Sequence, residues 1–177
     1  MPETGTTALV IALPAAEKLL DAARHVDPGL VRPGIVAHVT ALYPFLPAAR
    51  LTAEAEQEVR ELAGTHPPAA VVLTEILTLP GFAAAPAPAL QPVADAACAR
   101  WPGLLPYGGR FGPQPDAHLT IAMGGTVGEL ARIAETVRPL LPVHDHAEAL
   151  NLVELTETGW RVRLTAPFGA VPGTTVR

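Results

Sequence analysis

The first pattern along the chain is a short apolar run that gives way to helical spacing. Residues 8–13 are all apolar and end at Pro14, which is typical of a short buried strand. Proline is well tolerated in a first helical turn, and after it the apolar residues recur on one helix face, at Ala16, Leu19, Leu20 and Ala23. The apolar run 35–42 then predicts a second strand.

A second helix and a third strand follow. Thr52 has the character of an N-cap, Glu54 lies in the first turn where the helix dipole favours a negative charge, and Gly64 ends the apolar stripe. Residues 69–77 predict a strand. The Pro- and Ala-rich stretch 80–92 has no clear period, so we interpret it as an irregular crossing segment with room for one short strand.

The second half of the chain repeats this order of elements. It predicts, in turn, a weak helix, a Gly- and Pro-rich loop and a strand, over 93–101, 102–115 and 117–123. Thr126 and Glu129 have the spacing of a capping box at the start of another helix. Alternating segments on either side of Gly159 predict a closing hairpin, over 150–156 and 160–165.

These elements indicate the fold class. Short strands separated by helices, with hairpin and edge-strand signals outnumbering clean βαβ units, favour an α+β fold over an α/β fold. The two halves of the chain have a similar order of helices and strands, offset by 80 residues. The 177 residues have the length of one ordinary domain, or of two half-domains that share a core.

Composition and charge narrow the range of functions. No window approaches the ~18 consecutive apolar residues of a membrane span, so we expect a soluble, cytoplasmic protein without a membrane partner. The net charge of −5 argues against binding a long or duplex nucleic acid, but it permits a local site for one or two phosphates. The chain has no serine, which excludes a Ser-His-Asp triad, and its single cysteine, Cys98, cannot form an internal disulfide.

Two predicted strands carry the same short motif. Residues 38–42 read His-Val-Thr-Ala-Leu, and residues 118–122 read His-Leu-Thr-Ile-Ala. Because side chains alternate between the two faces of a strand, each motif presents an imidazole and a hydroxyl side by side. Two opposed imidazoles suit phosphodiester chemistry without a metal, since one can accept a proton while the other donates one. Two hydroxyls can hydrogen-bond the non-bridging phosphate oxygens.

The candidate catalytic residues are accordingly His38, Thr40, His118 and Thr120. The alternative interpretation is that each motif is a pair of core polar residues with satisfied hydrogen bonds and no chemical role. A repeat on two strands at equivalent places in the two halves favours the chemical interpretation.

Residues beside the motifs are candidates for substrate binding. Tyr43 and Tyr107 could stack a base, and Arg110 in its Gly-rich loop could reach a phosphate. Phe45 and Phe111 are expected to pack in the core. A further pair, His144 and His146, would share a strand face but has no obvious third ligand nearby, so we predict no metal site and no cofactor.

At these motifs the sequence resembles the 2H phosphoesterase superfamily, which includes bacterial 2′-5′ RNA ligase-like proteins and cyclic phosphodiesterases. The segments that carry the resemblance are 38–45 and 107–111, together with 118–121. The resemblance implies a two-lobed, pseudo-twofold α+β domain over 1–177, with two antiparallel sheets lining a central cleft and helices outside. It also implies His38 and His118 as the catalytic pair, with Thr40 and Thr120 holding the phosphate.

Three functional hypotheses follow. The leading one is metal-independent action on a 2′,3′-cyclic phosphate or 2′-5′ linkage at a short RNA end, either as hydrolysis or as ligation. The second is a phosphodiesterase for a small cyclic phosphate that is not RNA. The third is a nucleotide-binding module without turnover, against which the presence of both motifs counts.

Overall fold

In the computed structural model, which describes residues 3–169, four α-helices are distributed among nine strands. The elements in chain order are β1 (Thr7–Ala12), α1 (Glu17–Val26), β2 (His38–Leu42), α2 (Ala53–Gly64), β3 (Ala69–Leu73), β4 (Leu77–Leu79), β5 (Phe82–Pro86), α3 (Gln91–Arg100), β6 (His118–Met123), α4 (Val127–Val137), β7 (Val143–Ala147), β8 (Ala149–Thr156) and β9 (Gly159–Pro167). No helix within this range is long and apolar enough to cross a bilayer.

The strands form two antiparallel sheets. The larger has seven strands in the order β4-β5-β6-β2-β1-β8-β9, and the smaller pairs β3 with β7. The α+β class and the two antiparallel sheets are therefore confirmed. Both motif strands, β2 and β6, are neighbours at the centre of the larger sheet, where one residue pair, Val39 with Leu119, joins its two halves.

Equivalent strands of the two halves are arranged symmetrically on either side of the boundary between β2 and β6. Outward from that boundary, β6 corresponds to β2, β5 to β1 and β4 to β8, while β9 is an additional edge strand. Each half contributes β-α-β-α-β-β in chain order, and the third strands of the two units, β3 and β7, pair with each other. The repeat offset by 80 residues in the sequence is thus a repeat of topology.

One face of the larger sheet forms the main core. Leu9 and Ile11 of β1, together with Val39 and Leu119, are fully buried there against helices from both halves. Because side chains alternate along a strand, the residues between them occupy the opposite face. That opposite face carries the motif side chains of β2 and β6, which are only half-buried.

Local signals in the sequence mark the helix starts correctly. The Thr52 hydroxyl accepts a hydrogen bond from the Ala55 N–H at 3.2 Å, as an N-cap does. Thr126 and Glu129 form the predicted capping box. Both helices therefore begin directly after the N-cap residues that the sequence predicts.

Several strand boundaries differ from the expectation. Strand β2 begins at His38 rather than at 35, because Ile35 lies in a preceding loop and packs against the cluster of Ala8, Val10 and Val153. The third strand ends at Leu73 rather than at 77. The stretch 80–92 holds strand β5 and the start of α3, so it is more ordered than expected, and the short strand foreseen there is confirmed.

Candidate active site

The four motif side chains lie together on one face of the larger sheet. The antiparallel pairing centred on Val39 and Leu119 places His38 across from Thr120 and Thr40 across from His118. Each imidazole therefore has the hydroxyl of the other motif as its cross-strand neighbour. The fully buried Val39 and Leu119 side chains fix this face, since they hold the opposite face against the core.

Each motif strand contains a β-bulge, and the two bulges lie at equivalent places in the two halves. The pairing of β2 with β1 skips Ala41, and the pairing of β6 with β5 skips Ile121. A bulge of this kind inverts the alternation of side chains beyond it. Tyr43 and Met123, which are separated by the same 80-residue offset as the motifs, are thereby turned toward the pocket that both line.

This pocket has a volume of about 460 Å³. Five of the predicted site residues line it, namely His38, Thr40, Tyr43, Tyr107 and Thr120. His118 lies two residues from Thr120 on the same face of β6, with its ring centroid 5.6 Å from that of Phe82. The remaining walls are mostly apolar and come from β1, α1, the loop before β2, β6 and the start of β9.

Backbone carbonyls orient both imidazoles in the same way. The Nδ1 atom of His38 lies 2.8 Å from the Val36 carbonyl oxygen, and that of His118 lies 2.7 Å from the Asp116 carbonyl oxygen. A carbonyl oxygen can only accept, so Nδ1 carries the hydrogen in both rings. The Nε2 atom is therefore left as a proton acceptor when the ring is neutral and as a donor when it is protonated.

Helix residues hold the segments that precede the two histidines. Glu17, the first residue of α1, accepts a hydrogen bond from the Ala37 N–H at 2.7 Å. Gln91, the first residue of α3, accepts one from the Ala117 N–H, also at 2.7 Å. Each motif histidine is thus anchored from the residue before it by the side chain at the N-terminus of an equivalent helix.

Burial and charge act in opposite directions on His38. Burial lowers the pKa of the His38 imidazole below its ordinary value of 6.5, because the charged form loses hydration. The hydrogen bond to the Val36 carbonyl and the negative charge of Glu17 oppose that lowering of the pKa. The neutral imidazole, whose Nε2 can accept a proton, is therefore favoured at His38.

The two tyrosines occupy one end of the pocket. The Tyr107 N–H donates to the Tyr43 carbonyl at 2.6 Å, and the two ring centroids are 5.8 Å apart. Tyr107 has a φ of 51°, a left-handed conformation that is uncommon outside glycine, and its side chain lines the pocket with the motif residues. Burial raises the pKa of the Tyr107 hydroxyl, and interaction with the Thr40 side chain opposes part of that rise.

The structure separates Arg110 from this group. Its guanidinium carbon lies 5.3 Å from the centroid of the Phe111 ring, and Arg110 is not among the described residues that line the pocket. The expected core position of Phe111 is wrong, because 42% of that residue is exposed on the loop. The core position of Phe45, which is 3% exposed, is confirmed.

Sequence reasoning missed three features of the site. These are the anchoring pair Glu17 and Gln91, the pocket residue Arg32 and the aromatic wall Trp160. Glu17 and Gln91 left a detectable signal, since each follows a Pro by three residues at the start of an equivalent helix. Arg32 and Trp160 left none, because their place at the pocket depends on the path of a loop and on sheet order.

The pair His144 and His146 lies on β7, away from the pocket. Both side chains are exposed, and the intervening Asp145 accepts a hydrogen bond from the Ala15 N–H at 2.8 Å. Within residues 3–169 no group of three or more histidine, cysteine or acidic side chains has an arrangement that could hold a metal ion.

Comparison with known proteins agrees with this geometry. The family model of the 2′-5′ RNA ligase superfamily matches residues 12–159, which include both motifs. The chain belongs to the 2′-5′ RNA ligase superfamily. The resemblance to 2H phosphoesterases is thereby confirmed, and membership of this superfamily indicates a phosphoesterase.

A solved structure shares the fold of this superfamily member. A protein described as a phosphoesterase aligns with a TM-score of 0.55 over 94% of this chain and 99% of its own, at 16% sequence identity. At that identity the likeness supports the fold alone. A comparison with curated proteins finds no match.

Proposed function

We propose that this phosphoesterase acts without a metal ion on 2′,3′-cyclic phosphates or on 2′-5′ phosphodiester linkages at short RNA ends. His38 and His118 are the general acid and general base, and Thr40 and Thr120 bind the reacting phosphoryl group. The observation that carries the proposal is the placement of both His–Thr pairs on one face of adjacent strands, with each imidazole anchored through Nδ1.

Hydrolysis of a cyclic phosphate needs two proton transfers. The Nε2 atom of the neutral histidine accepts a proton from water as the water oxygen bonds to phosphorus. The Nε2–H of the protonated histidine donates its proton to the ribose oxygen as the P–O bond to that oxygen breaks. The Nδ1 anchors suit both roles, since they leave Nε2 available in either protonation state.

The threonine hydroxyls supply the electrostatic part of catalysis. Each lies across from the imidazole of the other motif, so a phosphoryl group between the imidazoles is within reach of both hydroxyls. Donation to the non-bridging oxygens stabilises negative charge that increases in the transition state. Because both hydroxyls stand on the central strands of the sheet, little reorganisation accompanies the reaction.

A second candidate substrate is a small cyclic phosphodiester that is not RNA. The observation that favours it is the restricted and largely apolar pocket next to the motifs, in a chain of net charge −5. A long polyanion is expected to bind such a surface weakly, because its affinity depends on many phosphate contacts. Comparing mononucleotide cyclic phosphates with 2′-5′ and 3′-5′ linked dinucleotides distinguishes the two substrate classes.

The test measures hydrolysis of 2′,3′-cyclic nucleotides in the presence of EDTA by the wild type, His38→Gln and His118→Gln. We expect the wild type to retain its activity under chelation and each variant to lose about 10²–10⁴-fold in kcat. His144→Gln is the matched control, since His144 is exposed on β7 outside the pocket. Its activity is expected to equal that of the wild type.

Three results would reject the proposal. Loss of wild-type activity in EDTA, with recovery on addition of a divalent metal, would indicate metal chemistry. Retention of activity in either motif variant would remove the two-histidine mechanism. Nucleotide binding without any turnover by the wild type would instead favour a binding module.

A further inference from the structure

The pocket is nearly symmetric at its centre but not at its ends. Tyr43 and Met123 occupy equivalent places beyond the two motifs. At the Tyr43 end the neighbouring side chain is Tyr107, whereas at the Met123 end it is Arg32, whose Nε–H donates to the Met123 sulfur. One end is therefore aromatic and the other carries a positive charge.

Among the residues that the structure describes, no carboxylate pairs with Arg32. Of the described residues that line the pocket, Arg32 is the one arginine or lysine, and none is a carboxylate. Within residues 3–169 Arg32 forms no ion pair, in contrast to Arg24, Arg100 and Arg163. A thioether is a weak acceptor, so the guanidinium keeps donors for an anionic ligand.

We infer that Arg32 forms a second anion-binding subsite, which takes a phosphate of the substrate other than the one that reacts. This inference rests on the proposed function, because it takes the His–Thr array as the site of the reacting phosphoryl group. It narrows the substrate class to compact nucleotide-type molecules that carry two phosphate groups. Because only one end of this nearly twofold-symmetric site carries the positive charge, the subsite also selects one orientation of the substrate.

The dimensions of the pocket suit this arrangement. Because of the bulge at Ile121, Thr120 and Met123 pair with Ala84 and Phe82 of β5, which are two residues apart and thus about 7 Å apart along the strand at ~3.3 Å per residue. The wall of the pocket is largely apolar and includes Val10, Ile35 and Trp160. The body of a nucleoside can therefore lie against this wall while its two phosphates reach the motifs and Arg32.

A binding experiment tests the subsite independently of turnover. Calorimetric titration compares adenosine 3′,5′-bisphosphate with adenosine 3′-monophosphate on the wild type, Arg32→Gln and Arg32→Lys at low ionic strength. We expect Arg32→Gln to weaken bisphosphate binding about tenfold or more, and monophosphate binding by less than about threefold. Arg32→Lys retains the charge and is expected to recover part of the loss.

Arg50→Ala is the matched control for a general change in net charge, because Arg50 is exposed outside the pocket and forms no ion pair within the described chain. Equal loss of both ligands in Arg32→Gln would overturn the inference, since the side chain would then serve the reacting phosphate or the loop itself. Unchanged binding of the bisphosphate, or failure of the wild type to bind it, would also overturn it.

The outcomes for the two proposals are distinguishable. Turnover of cyclic nucleotides combined with equal losses in Arg32→Gln would reject the subsite and leave the proposed reaction intact. Arg32-dependent binding of the bisphosphate without any turnover would support the subsite and reject the proposed reaction.

Discussion

Glu17 and Gln91 hold equivalent positions in the two halves of the chain and differ by one charge. Each accepts a hydrogen bond at 2.7 Å from the backbone N–H of the residue before a motif histidine. The hydrogen-bond geometry is therefore the same on both sides of the pocket. The carboxylate adds a negative charge near His38, whereas the amide adds none near His118.

The charge difference predicts the effect of Glu17→Gln. The amide oxygen can still accept from the Ala37 N–H, as Gln91 does from Ala117, so the loop is expected to keep its place. Because the negative charge of Glu17 raises the pKa of His38, its removal is expected to lower that pKa further. NMR titration of the His38 ring measures the shift, and the limb of the pH–rate profile that reports His38 is expected to move to lower pH.

Glu135→Gln is the matched control, since Glu135 is exposed on α4 outside the pocket. An unchanged or higher pKa of His38 in Glu17→Gln would show that the charge of Glu17 does not reach the imidazole. A collapse of the loop would appear instead as a change in the backbone amide spectrum of residues 36 and 37.

The lowered pKa of His38 also predicts how stability depends on pH. The folded state binds a proton at His38 less readily than the unfolded state, whose pKa is near 6.5. The free energy of unfolding is therefore expected to fall as the pH decreases from 6.5 through the lowered folded-state pKa. Urea unfolding at pH 7.5 and 5.5 measures it, and His38→Gln is expected to lose less stability over that interval than the wild type. The same loss in His38→Gln as in the wild type would assign the pH dependence to other groups.

Much of the geometry of the candidate site could be predicted from the sequence because it is local. The alternation of a strand places His and Thr of one motif on the same face whatever the rest of the fold does. The cross-strand relation of His38 to Thr120 was not accessible, since it depends on the one residue pair that joins the two halves of the sheet. The turn of Tyr43 toward the pocket depends likewise on a bulge at Ala41, which no local residue pattern marks.

The fold was predicted best where short-range chemistry specifies it. The caps at Thr52 and Thr126 and the hairpin around Gly159 are determined by neighbouring residues. The apolar run 35–42 predicts one strand, but its first three residues form a loop, in which Ile35 packs against β1 and β8 and the Ala37 N–H donates to Glu17. Strand β7 lacked an apolar run, since its exposed face carries His144 and His146.

The threonine hydroxyls are expected to contribute to the chemical step more than to substrate affinity. Replacement by valine keeps the shape of the side chain and removes the donor, so Thr40→Val and Thr120→Val are each expected to lower kcat by about 10²–10³-fold. Serine restores the hydroxyl and is expected to recover most of the activity. Steady-state kinetics measures both, with Thr165→Val on β9 as the control outside the pocket. A rise in KM with an unchanged kcat would place the hydroxyls in substrate binding alone.

Leu119 connects the stability of the fold to the geometry of the site. Its side chain is fully buried, and its backbone forms the one pair that joins β6 to β2. Leu119→Ala leaves a cavity in the core at the centre of the sheet and is expected to lower the free energy of unfolding by about 2–5 kcal/mol. Leu79→Ala is the matched control, because Leu79 on β4 is 39% exposed and its loss is expected to cost about 0.5 kcal/mol. Urea unfolding measures both variants, and equal losses in the free energy of unfolding would show that packing at the centre of the sheet contributes no more to stability than packing at its edge.

At a temperature where Leu119→Ala remains folded, a lower kcat would further indicate that packing behind the motifs maintains the alignment of the two imidazoles.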